Sequence, residues 1–214
     1  MTPFVNVLWA GTGITLEATS VGAETTGVTS HSLALPAGHQ AGDVVYFAFA
    51  HAMTSSTITG PEGWTVTQHD NRWASVHRKL DGSEGASITV TTSVDYRSVY
   101  TGYRFSGAHG DVEIAAPGAT YSLQPPSLTP AWGEAENAWI TWAYSRRTDN
   151  TLTMPSGYGS QLNAETGAEQ SSSWHCRIAS AHRILTADEE TPGAWGSTGT
   201  TDGVYSATVA IRPA

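Results

Sequence analysis

The chain has 214 residues, of which 39% are hydrophobic and only 14% charged, and its formal net charge is −9. This balance supports a packed core and excludes a disordered chain or a coiled coil. The negative charge argues against nucleic acid and anionic membranes as partners, and the single cysteine, Cys176, excludes an internal disulfide.

The first 30 residues differ in composition from the rest. The stretch "VNVLWAG" predicts a strand, whereas the following "TGITLEATSVGAETTGVTS" is small, polar and rich in Thr and Gly. Residues 1–30 are therefore expected to form either an N-terminal arm that reaches a neighbouring subunit or a first strand of the sheet. The start "MTPFVNVLWAGTG" lacks a positively charged n-region, so we expect no secretory signal and synthesis in a cytoplasm.

Alternating apolar residues separated by turn residues predict eight further strands. They span 43–52, 64–70, 73–80, 86–92, 99–107, 137–147, 172–185 and 203–213. The stretches "GPEG", "DGSEG" and "SVDYRS" between them are predicted turns. The 22 Gly and 10 Pro disfavour long helices, so the predicted fold class is all-β with antiparallel sheets.

A short motif occurs twice. "TITGPEGW" at 57–64 recurs as "TLTMPSGY" at 151–158, 94 positions later. Pro61 fixes one backbone angle and Gly63 permits the positive φ of a tight turn, so the motif is predicted to end one strand and begin the next. Further along, the offset becomes 105, which aligns two dipeptide pairs: His77-Arg78 with His182-Arg183, and Val99-Tyr100 with Val204-Tyr205.

The repeat predicts two pseudo-equivalent halves, residues 31–118 and 119–214. They could form two tandem sandwiches or one β-sandwich, jelly-roll or immunoglobulin-like, over 31–214. The connecting residues 107–136 contain an apolar stretch at 112–116 and the predicted strand "TYSLQ" rather than a plain Gly/Ser spacer. We therefore favour a single body.

The sequence offers few groups suited to catalysis. Asp111 and Glu113, and likewise Glu134 and Glu136, have the spacing of two acids on one strand face, which glycoside hydrolysis could use. Both pairs lie in predicted loops, so we interpret them as solvated turn acids. The eight histidines lack metal-site spacing, and no nucleophile elbow or phosphate loop occurs. No catalytic residue, metal or cofactor is predicted.

Aromatic residues give the strongest functional signal, since the chain has eight Trp and eight Tyr. Candidate contacts for a glycan or a partner are Trp64, Trp132, Trp142 and Tyr158. Trp64 and Tyr158 either cap the edge of the core or form an exposed platform for a sugar ring. Alternation places Trp139 and Trp142 on opposite strand faces, so one ring lies outside the core unless both sheet faces are covered.

Five phrases occur in a distinctive order between Ser32 and Pro213: "LALPAGHQAGDVVYFAFA", "ITGPEGWTV", "PPSLTPAWGEAENAWITWA", "HRILTADEETPGAWGS" and "YSATVAIRP". They resemble β-sandwich accessory structural proteins of tailed bacteriophage virions, which include capsid decoration or cement proteins, head fibres, spikes and tail adhesins.

This resemblance implies a non-enzymatic virion protein, assembled in the bacterial host cytoplasm and often oligomeric. Its expected partners are the major capsid protein or other virion proteins, with no nucleic acid and no membrane. We expect decoration of the head exterior. The alternative is a carbohydrate-binding adhesin on a spike or tail that contacts host surface polysaccharide, and a glycosidase is a third, less favoured hypothesis.

Overall fold

The protein is all-β. The computed structural model describes residues 13–52, 56–117, 122–146, 151–167, 175–198 and 203–214. These residues form thirteen strands and no helix, so the described part of the chain contains no helix able to span a membrane.

The strands follow one another along the chain and pair antiparallel throughout. Their bounds are β1 Thr15–Ala34, β2 Val44–His51, β3 Ile58–Thr59, β4 Thr65–Asp70, β5 Trp73–Lys79, β6 Ser87–Ser106, β7 Ala108–Ala115, β8 Ala135–Ser145, β9 Leu152–Thr153, β10 Gly159–Glu165, β11 Arg177–Ala187, β12 Gly196–Ser197 and β13 Val204–Pro213.

Two main sheets are present. The first has the order β1-β6-β2-β5-β4, with β3 also paired to β6, and the second has the order β10-β11-β8-β13-β7. The short strands β12 and β9 form a separate two-stranded ladder. The first sheet uses residues 15–106 and the second uses 108–213, so each sheet is drawn from one continuous part of the chain.

The sheets face each other across one shared apolar cluster, which gives a sandwich-like arrangement. Alternate residues of β2 and β8 contribute to it, together with rings from the flanking strands. Trp73 and Trp142 meet edge to face with ring centroids 4.8 Å apart. The indole Nε1 of Trp142 donates to the Tyr46 hydroxyl at 2.8 Å, and this hydroxyl lies 2.7 Å from Ser75 Oγ, so these three buried polar atoms are paired.

The outer face of the first sheet is also covered. Strands β1 and β6 are 20 residues long, and their register shifts between Glu24 and Ser30. Beyond this bulge, Leu33 and Val90 pack in one cluster with Phe47 of β2. Because both faces are covered, all eight residues of β2 are buried.

The second sheet is covered in the same manner by a different set of residues. Leu128, Leu152, Tyr158 and Trp195 cluster over Trp139 on its outer face. The predicted alternation of Trp139 and Trp142 is therefore correct, but neither ring reaches solvent, because each face of β8 lies against its own apolar cluster.

Several predicted boundaries differ from the structure. The predicted turn "SVDYRS", 93–98, is wrong, since these residues continue β6 and pair with β1. The loop prediction is also wrong for three of the four paired acids: Asp111 and Glu113 lie in β7 and Glu136 lies in β8, whereas Glu134 lies before β8, outside any strand. Strand β10 was not predicted.

Other predicted elements reach beyond the described residues. Residues 1–12 lie outside them, whereas residues 15–34 form β1. The predicted strand "TYSLQ" begins outside the described residues, and its last three residues, 122–124, are not in a strand.

Candidate ligand-binding cleft

The four aromatic residues singled out from the sequence do not meet at one place. Trp64 belongs to the outer cluster of the first sheet, Trp132 and Tyr158 belong to the outer cluster of the second, and Trp142 lies between the sheets. They therefore cannot line a common groove.

Two of these four rings have little or no surface for a ligand. Trp142 has no exposed area, because it packs inside the sandwich against Trp73, and its selection as a surface contact was wrong. Tyr158 is 7% exposed, and its hydroxyl donates to Glu190 at 2.8 Å. Burial beside the Glu190 carboxylate raises the pKa of the Tyr158 hydroxyl. Trp64 and Trp132 are half-buried.

An open cleft of about 580 Å³ lies where β5 of the first sheet approaches β7 and β13 of the second. Its walls combine one aromatic ring with acidic, basic and imidazole groups. The side chains that line it are those of Asp111, Val112, Glu113, Ala131, Trp132, His77 and Arg212, together with Gly110. The volume falls within the usual range of small-ligand sites.

The charged groups on the β7 side are held in fixed positions. Arg212 Nη1 donates to Asp111 Oδ2 at 2.9 Å, and His109 Nδ1 lies 3.1 Å from the same oxygen. The hydrogen bond from Arg212 is the main cause that lowers the pKa of Asp111. Glu113 accepts from the backbone N–H of Ala131 at 3.0 Å and 3.2 Å through its two oxygens.

Trp132 is oriented from behind by a buried amide. Its indole Nε1 donates to Asn137 Oδ1 at 2.9 Å, and Asn137 Nδ2 donates to the carbonyl of Ala187 at 3.2 Å. Asn137 is wholly buried at the start of the apolar run of β8. The ring position is therefore set by the sheet and does not depend on a ligand.

His77 extends from β5 into the gap between the sheets. Burial lowers the pKa of its imidazole to about 4, so it is neutral at pH 7. Its Nδ1 has no hydrogen-bond partner among the described residues. The cleft thus carries two carboxylates, one guanidinium and a neutral imidazole.

The acid pair at Asp111 and Glu113 differs from a glycosidase pair in its electrostatics. Glycoside hydrolysis requires one carboxylic acid with a raised pKa to protonate the leaving group. The pKa of Asp111 is shifted in the opposite direction by Arg212. Asp111 is therefore suited to accept hydrogen bonds and not to protonate a leaving group.

Metal ligation and thiol chemistry receive no support from the described residues. Among them, no three His, Cys, Asp or Glu side chains come close enough to hold a metal ion. Cys176 is fully buried, and burial raises the pKa of its thiol.

Sequence reasoning identified Trp132 and the Asp111–Glu113 spacing but missed Arg212 and His77. These two residues join the cleft only through sheet pairing and the approach of the two sheets, which local sequence does not reveal. Comparison with protein-family models, with curated proteins and with solved structures finds no match for the chain.

Proposed function

We propose that this chain is a non-enzymatic structural protein of a tailed-phage virion, located on the particle exterior as a capsid decoration or cement protein or a head fibre. The observation that carries the proposal is a pair of sheets covered on both faces by three apolar clusters. Such a body is rigid and presents few unprotected apolar groups. The ordered phrases from Ser32 to Pro213 resemble virion accessory proteins and support the same assignment.

The proposal includes a scaffold built from two repeated halves. The first sheet has the strand order β1-β6-β2-β5-β4, and the second, read from its other edge, has the order β7-β13-β8-β11-β10. The two orders are the same if each strand corresponds to the one in the same position, β7 to β1, β13 to β6, β8 to β2, β11 to β5 and β10 to β4. The short ladders agree as well. Ile58 of β3 pairs with Thr92 of β6, and Leu152 of β9 pairs with Ser197 of β12, so the paired residues of the two ladders correspond at offsets 94 and 105. An immunoglobulin sandwich instead alternates its strands between sheets along the chain, so we propose two repeated sheets packed face to face.

Residue registers support the repeat and refine its alignment. In the shared core, Val44 corresponds to Ala138 at offset 94, and Trp73 corresponds to Ile178 at offset 105. At the last strand the offset of 105 fails, because Tyr100 faces the outer cluster whereas Tyr205 faces the shared core. An offset of 106 aligns inward-facing Val99 with inward-facing Tyr205.

The duplicated motif has matching surroundings in both halves. Gly63 and Gly157 both adopt positive φ, 79° and 83°, at the turn before the aromatic residue. A Cβ on Gly63 would lie 2.9 Å from Arg78 Nη1, and one on Gly157 would lie 3.2 Å from Arg183 Nη1. We propose that the motif is repeated because each half needs the same compact turn beneath its arginine.

The test of a virion role is a quantitative mass-spectrometric inventory of purified particles. We expect the chain in mature virions at a copy number comparable to that of the major shell protein, and retained on heads from which tails have been removed. The same particles probed with protease before lysis should show it on the exterior. Absence from purified virions would reject the proposal, and a few copies found only with tails would favour the alternative.

A carbohydrate-binding adhesin on a spike or tail is the second candidate function. The observation that favours it is the cleft in which Trp132 borders Asp111, Glu113 and Arg212. Under this candidate the partner is host surface polysaccharide, whereas under the first it is the major capsid protein or another virion protein. Both candidates include a homo-oligomer and neither involves nucleic acid or a membrane, consistent with the net charge of −9.

A further inference from the structure

Three of the side chains that line the cleft, those of Asp111, Trp132 and Arg212, are not repeated in the first half. At the proposed offsets, Trp132 corresponds to Gly38 and Arg212 to Ser106 in the first half. Leu16 pairs with Phe105 in the first half, and Val112 pairs with Ile211 in the second. Since Phe105 and Ile211 correspond at offset 106, Val112 corresponds to Leu16, and the preceding residue Asp111 corresponds to Thr15. The first half folds the same order of strands without these side chains, so stability of the repeated unit does not explain them.

The scaffold nevertheless holds these side chains in place. The Trp132 indole is fixed through Asn137, and Asp111 is fixed through Arg212. The Asp111 side chain is 48% exposed and that of Arg212 is 41% exposed, so their remaining oxygen and N–H groups face solvent. The Trp132 ring, two acceptor carboxylates and a donor guanidinium thus border one open space before any ligand arrives.

This combination matches the surface of a sugar ring. A pyranose presents C–H groups that pack on an aromatic ring and hydroxyls that both donate and accept hydrogen bonds. Asp111 and Glu113 can accept from hydroxyls, and Arg212 can donate to them. The cleft therefore offers each kind of contact that a pyranose makes.

The charges select among sugars. Two carboxylates face one guanidinium in the cleft, so an anionic sugar would meet net repulsion. A cationic ligand would have to compete with Arg212 for Asp111 and with the Ala131 N–H for Glu113. Neutral hydroxyl-rich rings remain as the best match.

We propose that the cleft bordered by Trp132, Asp111, Glu113 and Arg212 is a binding site for a neutral pyranose unit of a polysaccharide. This proposal rests on the second candidate function and is independent of where the chain is located in a virion. The chain can therefore be absent from purified virions and still bind a sugar, or be present in virions and bind none, so the two proposals are tested separately.

The experiment is saturation-transfer NMR on the full chain with methyl β-D-glucopyranoside, methyl β-D-galactopyranoside, methyl α-D-mannopyranoside and, as the anionic counterpart, sodium glucuronate. At least one neutral pyranoside should receive saturation. Trp132→Ala should raise its Kd about tenfold or more, as truncation of a central aromatic contact does. Trp64→Ala is the matched control, because this half-buried ring occupies the outer cluster of the other sheet, and it should leave Kd unchanged.

Arg212→Ala provides a variant that tests the site without removing packed apolar surface, because this side chain is 41% exposed. It should also raise Kd, and its thermal unfolding should match that of the original chain, so it decides the question if Trp132→Ala fails to fold. The proposal is overturned if no neutral pyranoside receives saturation, or if Arg212→Ala binds with the Kd of the original chain. It is equally overturned if glucuronate binds as tightly as the neutral sugar.

Discussion

At the scale of single residues, a buried charge can be mistaken for a surface residue from the sequence pattern. Glu190 follows two exposed acids in "ADEE" and reads as part of a solvated turn, yet its side chain is 2% exposed. It accepts from the Tyr158 hydroxyl and forms an ion pair with Arg183, whose guanidinium lies 4.8 Å from the centroid of the Tyr158 ring. One carboxylate therefore joins β11 to the duplicated turn.

Glu190→Gln should destabilise the protein by about 2–4 kcal/mol, because it leaves a largely buried guanidinium without its counter-charge. Urea unfolding at pH 7 measures the free energy of unfolding. Glu189→Gln is the matched control, since this exposed neighbour should change stability by less than about 0.5 kcal/mol. A loss for Glu190→Gln no larger than that of the control would show that the pair contributes no more than a surface ion pair.

At the scale of strands, apolar runs located the central elements and the edge strand β4, but they did not reveal the edge strands β7 and β10. The predicted strand 43–52 corresponds to Val44–His51, and 137–147 corresponds to Ala135–Ser145. The edge strand Thr15–Ala34 carries Thr, Ser and Gly, so its local sequence resembles a loop. Its pairing partner β6 lies more than 50 residues away, and this long-range ladder is what defines β1.

Glycine inside β6 shows how closely these strands pack. A Cβ on Gly102 would lie 2.5 Å from Ser20 Oγ of β1 and 2.6 Å from Cε1 of Phe47 in β2. Gly102→Ala should therefore cost about 1–3 kcal/mol through overpacking, measured by urea unfolding. Gly85→Ala, where a Cβ meets nothing within 4 Å, should leave stability unchanged or slightly raised. Equal effects at both positions would contradict the close packing of β1 on β6.

At the scale of the whole molecule, the sequence indicated an all-β class but could not indicate which rings stay exposed. Alternation along β8 separates Trp139 from Trp142 correctly, yet it does not say what covers either face. The inner face of β8 is covered by the first sheet. Its outer face is covered by Leu152 of β9 and by loop residues such as Tyr158 and Trp195, which lie in segments too short for a strand pattern. For the same reason, the candidate cleft was visible in sequence only as Trp132 and two acids, without Arg212 and His77.

Burial of histidines across the fold gives the molecule a defined response to acid. Burial lowers the pKa of His51, His69 and His77 to about 4, against about 6.5 when exposed, and lowers those of His31 and His182 as well. Between these values the unfolded chain binds protons that the folded chain does not. The contribution to stability is therefore full above about pH 6.5 and is lost as pH falls toward 4.

The free energy of unfolding should fall by about 1 kcal/mol per pH unit for each of His51, His69 and His77 as pH decreases from 6.5 to 4.5, measured by urea unfolding at a series of pH values. His77→Gln should reduce this slope by about 1 kcal/mol per pH unit, because the variant has no imidazole to protonate at that position. A profile that stays flat from pH 6.5 to 4.5 would contradict the burial of these imidazoles in the folded protein.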